Sequence, residues 1–201
     1  MRLHDLCEIQ AGYTARARLE PATTAGVPAI QLRDISAAGR IEPDKLMRVD
    51  LGALPGRYFA RAGDVLFRSR GDRNTASALD RRFVEPALAL QPLLILRPKP
   101  DVVTSEYLAW AINQAEAQRH FDSGARGTKI RMVPKSCLDE LNIDVPDVET
   151  QRKIIAVDDL VERENGLALL LAEKRKKLSR LILDEQAKLI CRSAEPERKM
   201  K

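Results

Sequence analysis

The stretch Gly63-Asp64-Val65-Leu66-Phe67-Arg68-Ser69-Arg70-Gly71-Asp72-Arg73-Asn74-Thr75 delivers three arginines, a serine, an asparagine and a threonine from a β-like run onto a glycine-containing loop. A guanidinium pairs in bidentate fashion with the major-groove edge of guanine, and a carboxamide does the same for adenine. Hydroxyls and arginines also suit phosphate oxygens. A second stretch, Gly124-Ala125-Arg126-Gly127-Thr128-Lys129-Ile130-Arg131, joins glycines that permit close backbone approach to cationic and hydroxyl groups that bind phosphate. The candidate contact residues are therefore Arg68, Ser69, Arg70, Arg73 and Asn74. Arg126, Thr128, Lys129 and Arg131 come next, and Gln31 and Arg33 stand at the margin. One such stretch alone reads as a solvated loop. Two in one domain, ahead of a long helix, favour a nucleic-acid partner. The run Lys174-Arg175-Lys176-Lys177 carries less meaning, because a helix of this kind exposes such charges anyway.

Covalent and metal chemistry find no comparable constellation. Cys7, Cys137 and Cys191 are far apart and form no CxxC or Cys/His pair, so the pattern supports neither a zinc site nor a disulfide framework. His4 and His120 lack a serine or cysteine placed by any motif. There is no GxxxxGK[ST] phosphate loop, no GxGxxG and no Asn/Asp-Pro-Pro-aromatic tetrapeptide. The sole Glu-x-Lys, Glu197-Arg198-Lys199, falls in the terminal stretch rather than on a sheet that could hold a metal. The expectation is a non-enzymatic chain with no metal and no cofactor of its own. A net charge of +5 and a pI near 9.2 lean mildly toward a polyanionic partner. The opening MRLHDLCEIQ carries charges inside its apolar stretch, unlike a signal peptide. No apolar run approaches the roughly 20 residues of a membrane span. A cytoplasmic protein with no membrane partner is expected.

The elements that must hold these residues are short. Residues 29–32, 64–67 and 87–96 read as strands, with Pro92 marking a break, bulge or edge. A helix capped by Thr104 or Ser105 should run toward Phe121 and stop at Gly124. Pro134 suits the first turn of a short helix over 134–141, and 141–145 (LNIDV) reads as β. The fold class expected is α+β: a mixed globular domain over 1–146, followed by one long helix over 147–191 and a disordered tail over 192–201.

Asp147 caps that helix, and Glu149 sits in its first turn, where the dipole favours negative charge. With Ile154 as heptad position a, the a/d series continues through Val157, Val161, Glu164, Ala168, Leu171, Arg175, Leu178, Ile182, Glu185 and Leu189. This is a coiled-coil seam with charged flaws, and Ile154, Val157, Val161, Leu171, Leu178 and Ile182 are its candidate dimerisation residues. Residues 148–190 as one helix would span about 65 Å, longer than a domain of this size is wide. Gly166 is where a kink or frayed turn would fall, because glycine costs about 1 kcal/mol in a helix interior.

The order Gly12, Gly63-Asp64-Val65-Leu66, Tyr107-Leu108, Gly127-Thr128, Leu138 and Leu141-Asn142-Ile143-Asp144-Val145-Pro146, then Gln151 and Ile154, resembles the DNA-specificity subunits of type I restriction–modification systems. Their recognition domain opens with a glycine after a short helix and carries a GDIL-like strand. It closes on a pattern that LNIDVPDVETQRKI matches here, with Glu149 and Thr150 where the family often has Glu-Glu before the glutamine. The likeness covers about residues 3–190.

The resemblance implies a recognition domain joined to a spacer helix, two such helices packing antiparallel to hold two domains apart on double-stranded DNA. The usual subunit has two domain-plus-helix repeats, and this sequence has one, as in a half subunit. A homodimer reading an interrupted palindrome is implied. So is an adenine methyltransferase subunit that binds S-adenosylmethionine and flips its base. A restriction subunit is a further implied partner. Gly63 and Asp64 would shape the turn before a strand, and Pro146 and Gln151 the domain-to-helix junction. The competing expectation is a coiled-coil scaffold or adaptor of a DNA-defence complex without sequence preference.

Overall fold

The structure, a computed structural model, describes residues 1–16, 19–22, 26–36, 39–71, 74–124 and 132–198, the last ten of these by their backbone alone. Residues 1–155 form one compact unit, and the remainder of the chain from 156 forms another. The first unit is α+β, and the second is helix as far as Arg198, the last described residue.

The first unit is built on two four-stranded sheets. A short helix α1 (Leu3–Leu6) leads into β1 (Cys7–Ala11), followed by β2 (Val27–Ile30), β3 (Met47–Val49), β4 (Phe59–Ala60), β5 (Val65–Arg68), β6 (Ala76–Ala78), β7 (Ala87–Ala89) and β8 (Leu93–Pro98). One sheet is antiparallel in the order β1-β8-β5-β6. The other has the order β3-β2-β7-β4, with β2 and β7 parallel. Helices α2 (Ser105–Asn113), α3 (Ala115–Gly124) and α4 (Lys135–Asp139) complete the domain before α5 (Val148–Arg198).

Side chains alternate across a strand, so a strand apolar throughout needs cover on both faces. That is the case for β5 and β8. Val65, Phe67, Leu94 and Leu96 join α1–α4 in one core cluster, and the Phe67 and Phe121 rings lie 5.1 Å apart. Leu66, Leu93 and Ile95 face the other way and meet Ile30, Ala87 and Ala89 of the second sheet. Full burial of one such large side chain stabilises by about 1.5–3 kcal/mol, which makes β5 and β8 the spine of the domain.

Several boundaries differ from the sequence reading. The first strand stops at Ile30, because the Gln31 N–H donates to the Asp34 carboxylate at 2.7 Å and turns residues 32–34 into a 3-10 helix. Asp64 lies before β5, accepting the Arg61 N–H at 2.9 Å, which bears out its role in shaping the turn. The run 87–96 is two strands in different sheets, broken at Leu90–Pro92. Thr104 does cap α2, accepting the Tyr107 N–H, but the long helix expected there is two. It breaks at Gln114, where the Gln118 amide donates to the Ile112 carbonyl. Pro134 stands just outside α4, which ends at Asp139. Residues 141–145 form no strand. They alternate in burial and make a single bridge, Arg2 to Asn142, with Ile143 N–H donating to Met1.

The long helix is present and unbroken at Gly166, where an added Cβ would meet no neighbouring element within 4 Å. It continues to Arg198, beyond the end expected at 191. Ala194 and Glu195 are good helix formers, and Pro196 forfeits only one backbone bond in the last turn. Its first turns belong to the globular unit, so the division falls after Ile155 rather than at 146.

Candidate nucleic-acid interface

Strand register brings the ends of six strands together. Ala11 faces Leu94, Arg68 faces Leu93, Phe67 faces Ala76, and Ile30 runs parallel to Ala89. The C-terminal ends of β1, β2, β5 and β7 therefore share one end of the sheets with the N-terminal ends of β6 and β8. Gly12 makes the crossing possible. A Cβ there would sit 2.8 Å from the Ala89 oxygen and 2.9 Å from the Leu93 oxygen. This close approach seats Tyr13, whose N–H donates to Ala89 and whose carbonyl accepts the Gln91 N–H.

At this end the loop after β5 meets the segment that follows the second basic stretch in sequence. Arg70 forms an antiparallel bridge with Met132, and the Val133 N–H donates to the Ser69 carbonyl at 2.8 Å. The loop after β5 is thus paired with the residues that follow the second stretch. Within it, Arg70 is exposed. Ser69 and Asn74 are not available as expected. Ser69 is 2% exposed and donates its hydroxyl to the Pro92 carbonyl. Asn74 is 9% exposed, and its amide donates to the Arg68 carbonyl at 2.9 Å, while its own carbonyl accepts from Gln118 at 2.9 Å. Short polar side chains in a tight loop satisfy backbone groups before they meet a ligand. Both residues shape the loop. Arg73, Arg126, Thr128, Lys129 and Arg131 lie outside the described residues.

Arg68 is half-buried, and its Nε is shielded without a hydrogen-bond partner among the described residues. The same holds for the hydroxyl of Thr75, its cross-strand neighbour, and for that of Ser77. Each unsatisfied donor costs about 1–3 kcal/mol. Asn113 ties down the same strand from the helical side. Its amide accepts the Ala76 N–H at 2.8 Å and donates to the Ala76 carbonyl at 2.9 Å.

Gln31 and Arg33 line a cleft of about 420 Å³ together with Tyr13, Thr14 and Gln91. The Leu90–Pro92 turn links this cleft to the Arg70 loop, since Gln91 bonds Tyr13 and Pro92 bonds Ser69. The Tyr13 ring meets Tyr58 edge-on at 5.4 Å, and the Arg57 guanidinium lies 5.0 Å from the Tyr58 ring. Sequence reasoning missed Tyr13, Thr14 and Gln91. A glycine followed by an aromatic, and a Gln-Pro inside an apolar run, were the available signals. Neither reveals that the two segments touch.

Other titratable groups are tied to the fold. His4 and His120 hydrogen-bond the carbonyls of Asp139 and Cys137. Burial pushes the Cys7 thiol up to about 12 and raises that of Cys137. Among the described residues no group of three or more His, Cys, Asp or Glu is placed to hold a metal. No described helix is long and apolar enough to cross a membrane.

At the junction, Gln151 is fully buried. Its amide donates to the carbonyls of Val102 and Pro146, both at 2.8 Å, and accepts the Thr104 N–H at 2.9 Å. Asp147 caps the helix through the Thr150 N–H and hydroxyl, and these bonds hold its carboxyl below the ordinary value. Ile154 departs from the expected seam, packing with Ile155 against the domain's own core because the first two turns lie on it. Within the helical unit Val157, Val161, Leu171, Leu178 and Ile182 are exposed. So are Leu160, Leu167 and Leu181, each one position before an a residue, which widens the stripe beyond a two-helix seam.

No family model matches the chain, and no curated protein matches it in sequence. Solved structures do share its fold. The HsdS subunit from Thermoanaerobacter tengcongensis matches 82% of this chain and 37% of its own, at 22% identity and a TM-score of 0.59. The type I restriction–modification S subunit from M. genitalium matches 88% of this chain and 42% of its own, at 17% identity and a TM-score of 0.55. A chain from a study of assembly and conformational transition of the type I restriction–modification system matches 90% and 42%, at 23% identity and a TM-score of 0.61. The present chain spans about two fifths of the length of each of these.

Proposed function

We propose that this chain is a sequence-specific DNA-recognition subunit of a type I-like restriction–modification complex and is itself non-catalytic. The observation that carries the reading is the pairing of the Arg70 loop with Met132 and Val133, which follow the second basic stretch in sequence, beside a cleft of mixed lining at one end of the sheets. An exposed arginine on a short, backbone-tethered loop is chemistry suited to base edges and phosphates. The shared fold adds weight.

In this reading the chain chooses the sequence in double-stranded DNA. An adenine methyltransferase subunit carries S-adenosylmethionine and the reacting groups, and a restriction subunit is a further partner. The complex acts in the cytoplasm. Two copies of the chain pair through Val157, Val161, Leu171, Leu178 and Ile182. The flank at Leu160, Leu167 and Leu181 receives the methyltransferase subunit. Two identical reading heads related by a two-fold axis call for an interrupted palindrome, with the gap set by the helices.

The test is base-resolved mapping of methylated adenine in the host genome with this gene present and deleted. Loss of one interrupted palindromic motif on deletion is the expected result. An asymmetric motif would replace the homodimer with a different second half. The unpartnered apolar stripe of the helix also suits a scaffold that lacks sequence preference. A methylome indifferent to the gene would move that reading to the front.

A further inference from the structure

The cleft beside the Arg70 loop has a composition that the basic stretches do not explain. Its lining combines Gln31 with Tyr13, Thr14, Ala15, Arg33 and Gln91, alongside leucines. Gln31 is held at both backbone groups by one residue: its N–H donates to the Asp34 carboxylate at 2.7 Å, and its carbonyl accepts the Asp34 N–H at 3.0 Å. Its side-chain nitrogen is shielded from solvent, yet meets no acceptor among the described residues. A donor on an anchored backbone, lacking a partner inside the protein, is suited to an acceptor brought by a ligand.

We infer that this cleft takes the major-groove edge of an adenine·thymine pair, with Gln31 as the residue that specifies adenine. The inference rests on the DNA-recognition reading and deepens it. A carboxamide places a donor and an acceptor side by side, matching adenine N7 and the N6 amino group. The anchored backbone leaves the side chain free to turn outward on binding, so that Nε2 leaves its shielded position and donates to N7 while Oε1 accepts from N6. Thr14 and Ala15 supply small apolar groups of the kind that meet a thymine methyl. The Tyr13 ring, set edge-on against Tyr58, is a fixed wall. Arg33 has a side chain 69% exposed, with its Nε 4.0 Å from the Asp34 carboxylate, and serves the phosphate at the rim.

The experiment selects binding sites for the full chain from a randomised duplex pool. Affinity is then measured for the selected duplex with each adenine replaced in turn by 7-deazaadenine, which lacks the N7 acceptor. At one position the replacement should weaken the wild type about tenfold. In Gln31→Ala that same replacement should have no effect, while the preference for adenine there is lost and the rest of the selected sequence is kept. Gln31→Glu keeps the shape, removes the donor and should shift that position toward cytosine, whose amino group donates to a carboxylate. A selected sequence unchanged in both variants, or a 7-deaza effect that persists in Gln31→Ala, overturns the cleft assignment alone. No enriched sequence for the wild type overturns the DNA-recognition reading beneath it.

Discussion

The backbone N–H of Val133 donates to the carbonyl of Ser69 at 2.8 Å, joining two loops 64 residues apart in the chain. Neither residue carries the recognition chemistry, yet their bond puts Arg70 next to the segment that follows Arg131 in sequence. A loop held at its base by backbone bonds keeps an exposed arginine close to one geometry, so less order must be gained on binding.

Arg70 and Asn74 are expected to separate binding from folding. Arg70→Ala should weaken binding to the preferred duplex by about 1–3 kcal/mol if it reads a base, with folding stability changed by less than about 0.5 kcal/mol. Asn74→Ala should behave in the opposite sense. It removes the bond to the Arg68 carbonyl and should lower stability by about 1–3 kcal/mol. Urea unfolding and fluorescence anisotropy on both variants check this, and the reverse pattern would exchange the two roles.

Gln151 should be costly to replace. Gln151→Leu strands the Thr104 N–H and the carbonyls of Val102 and Pro146 in a buried setting. A loss of about 2–4 kcal/mol is expected. Lys153→Ala, two residues away, breaks only the exposed pair to Glu149 and should cost less than about 0.5 kcal/mol. Chemical denaturation of the two variants side by side gives the contrast.

If the proposed function holds, the helical stripe carries two separable assemblies. The double change Leu171→Glu and Leu178→Glu places charges in the a/d seam and should leave the chain monomeric in sedimentation. Leu167→Glu with Leu181→Glu should spare self-association and abolish capture of the methyltransferase subunit. Both leucine pairs are exposed in the chain by itself, so the domain should remain folded in either variant.

Asp147 sets a pH dependence with a definite sign. Its folded-state pKa lies below the ordinary value of 3.8, chiefly because of the Thr150 hydroxyl bond. Its contribution is therefore present above that value and is lost as pH falls through the folded pKa. Asp147→Asn should flatten this part of the acid limb, leaving the neutral-pH midpoint little changed because asparagine also caps helices. The measurement is the urea midpoint of both proteins between pH 2 and 6. Parallel curves would remove Asp147 from the acid response.

The α+β class, the long C-terminal helix, its cap at Asp147 and the junction role of Gln151 were legible in the sequence. These features depend on local periodicity, on capping geometry at a fixed spacing and on one closing motif, all of which lie within a few residues of one another. The two basic stretches were legible as well. Their roles were not, because a polar side chain in a loop reads the same whether it faces solvent or its own backbone. Burial of Ser69 and Asn74 comes from Pro92, Arg68 and Gln118, which are distant or out of register in the chain. The doubling of the strand at 87–96 and the Gln114 break likewise come from partners supplied by other elements. The cleft around Gln31 depends most on tertiary structure. Tyr13, Gln31 and Gln91 are brought together by the parallel pairing of β2 with β7 and by Gly12 crossing over the β7–β8 turn. Local sequence determines which elements form, and the close approach of distant backbones decides which side chains are left free to meet a partner.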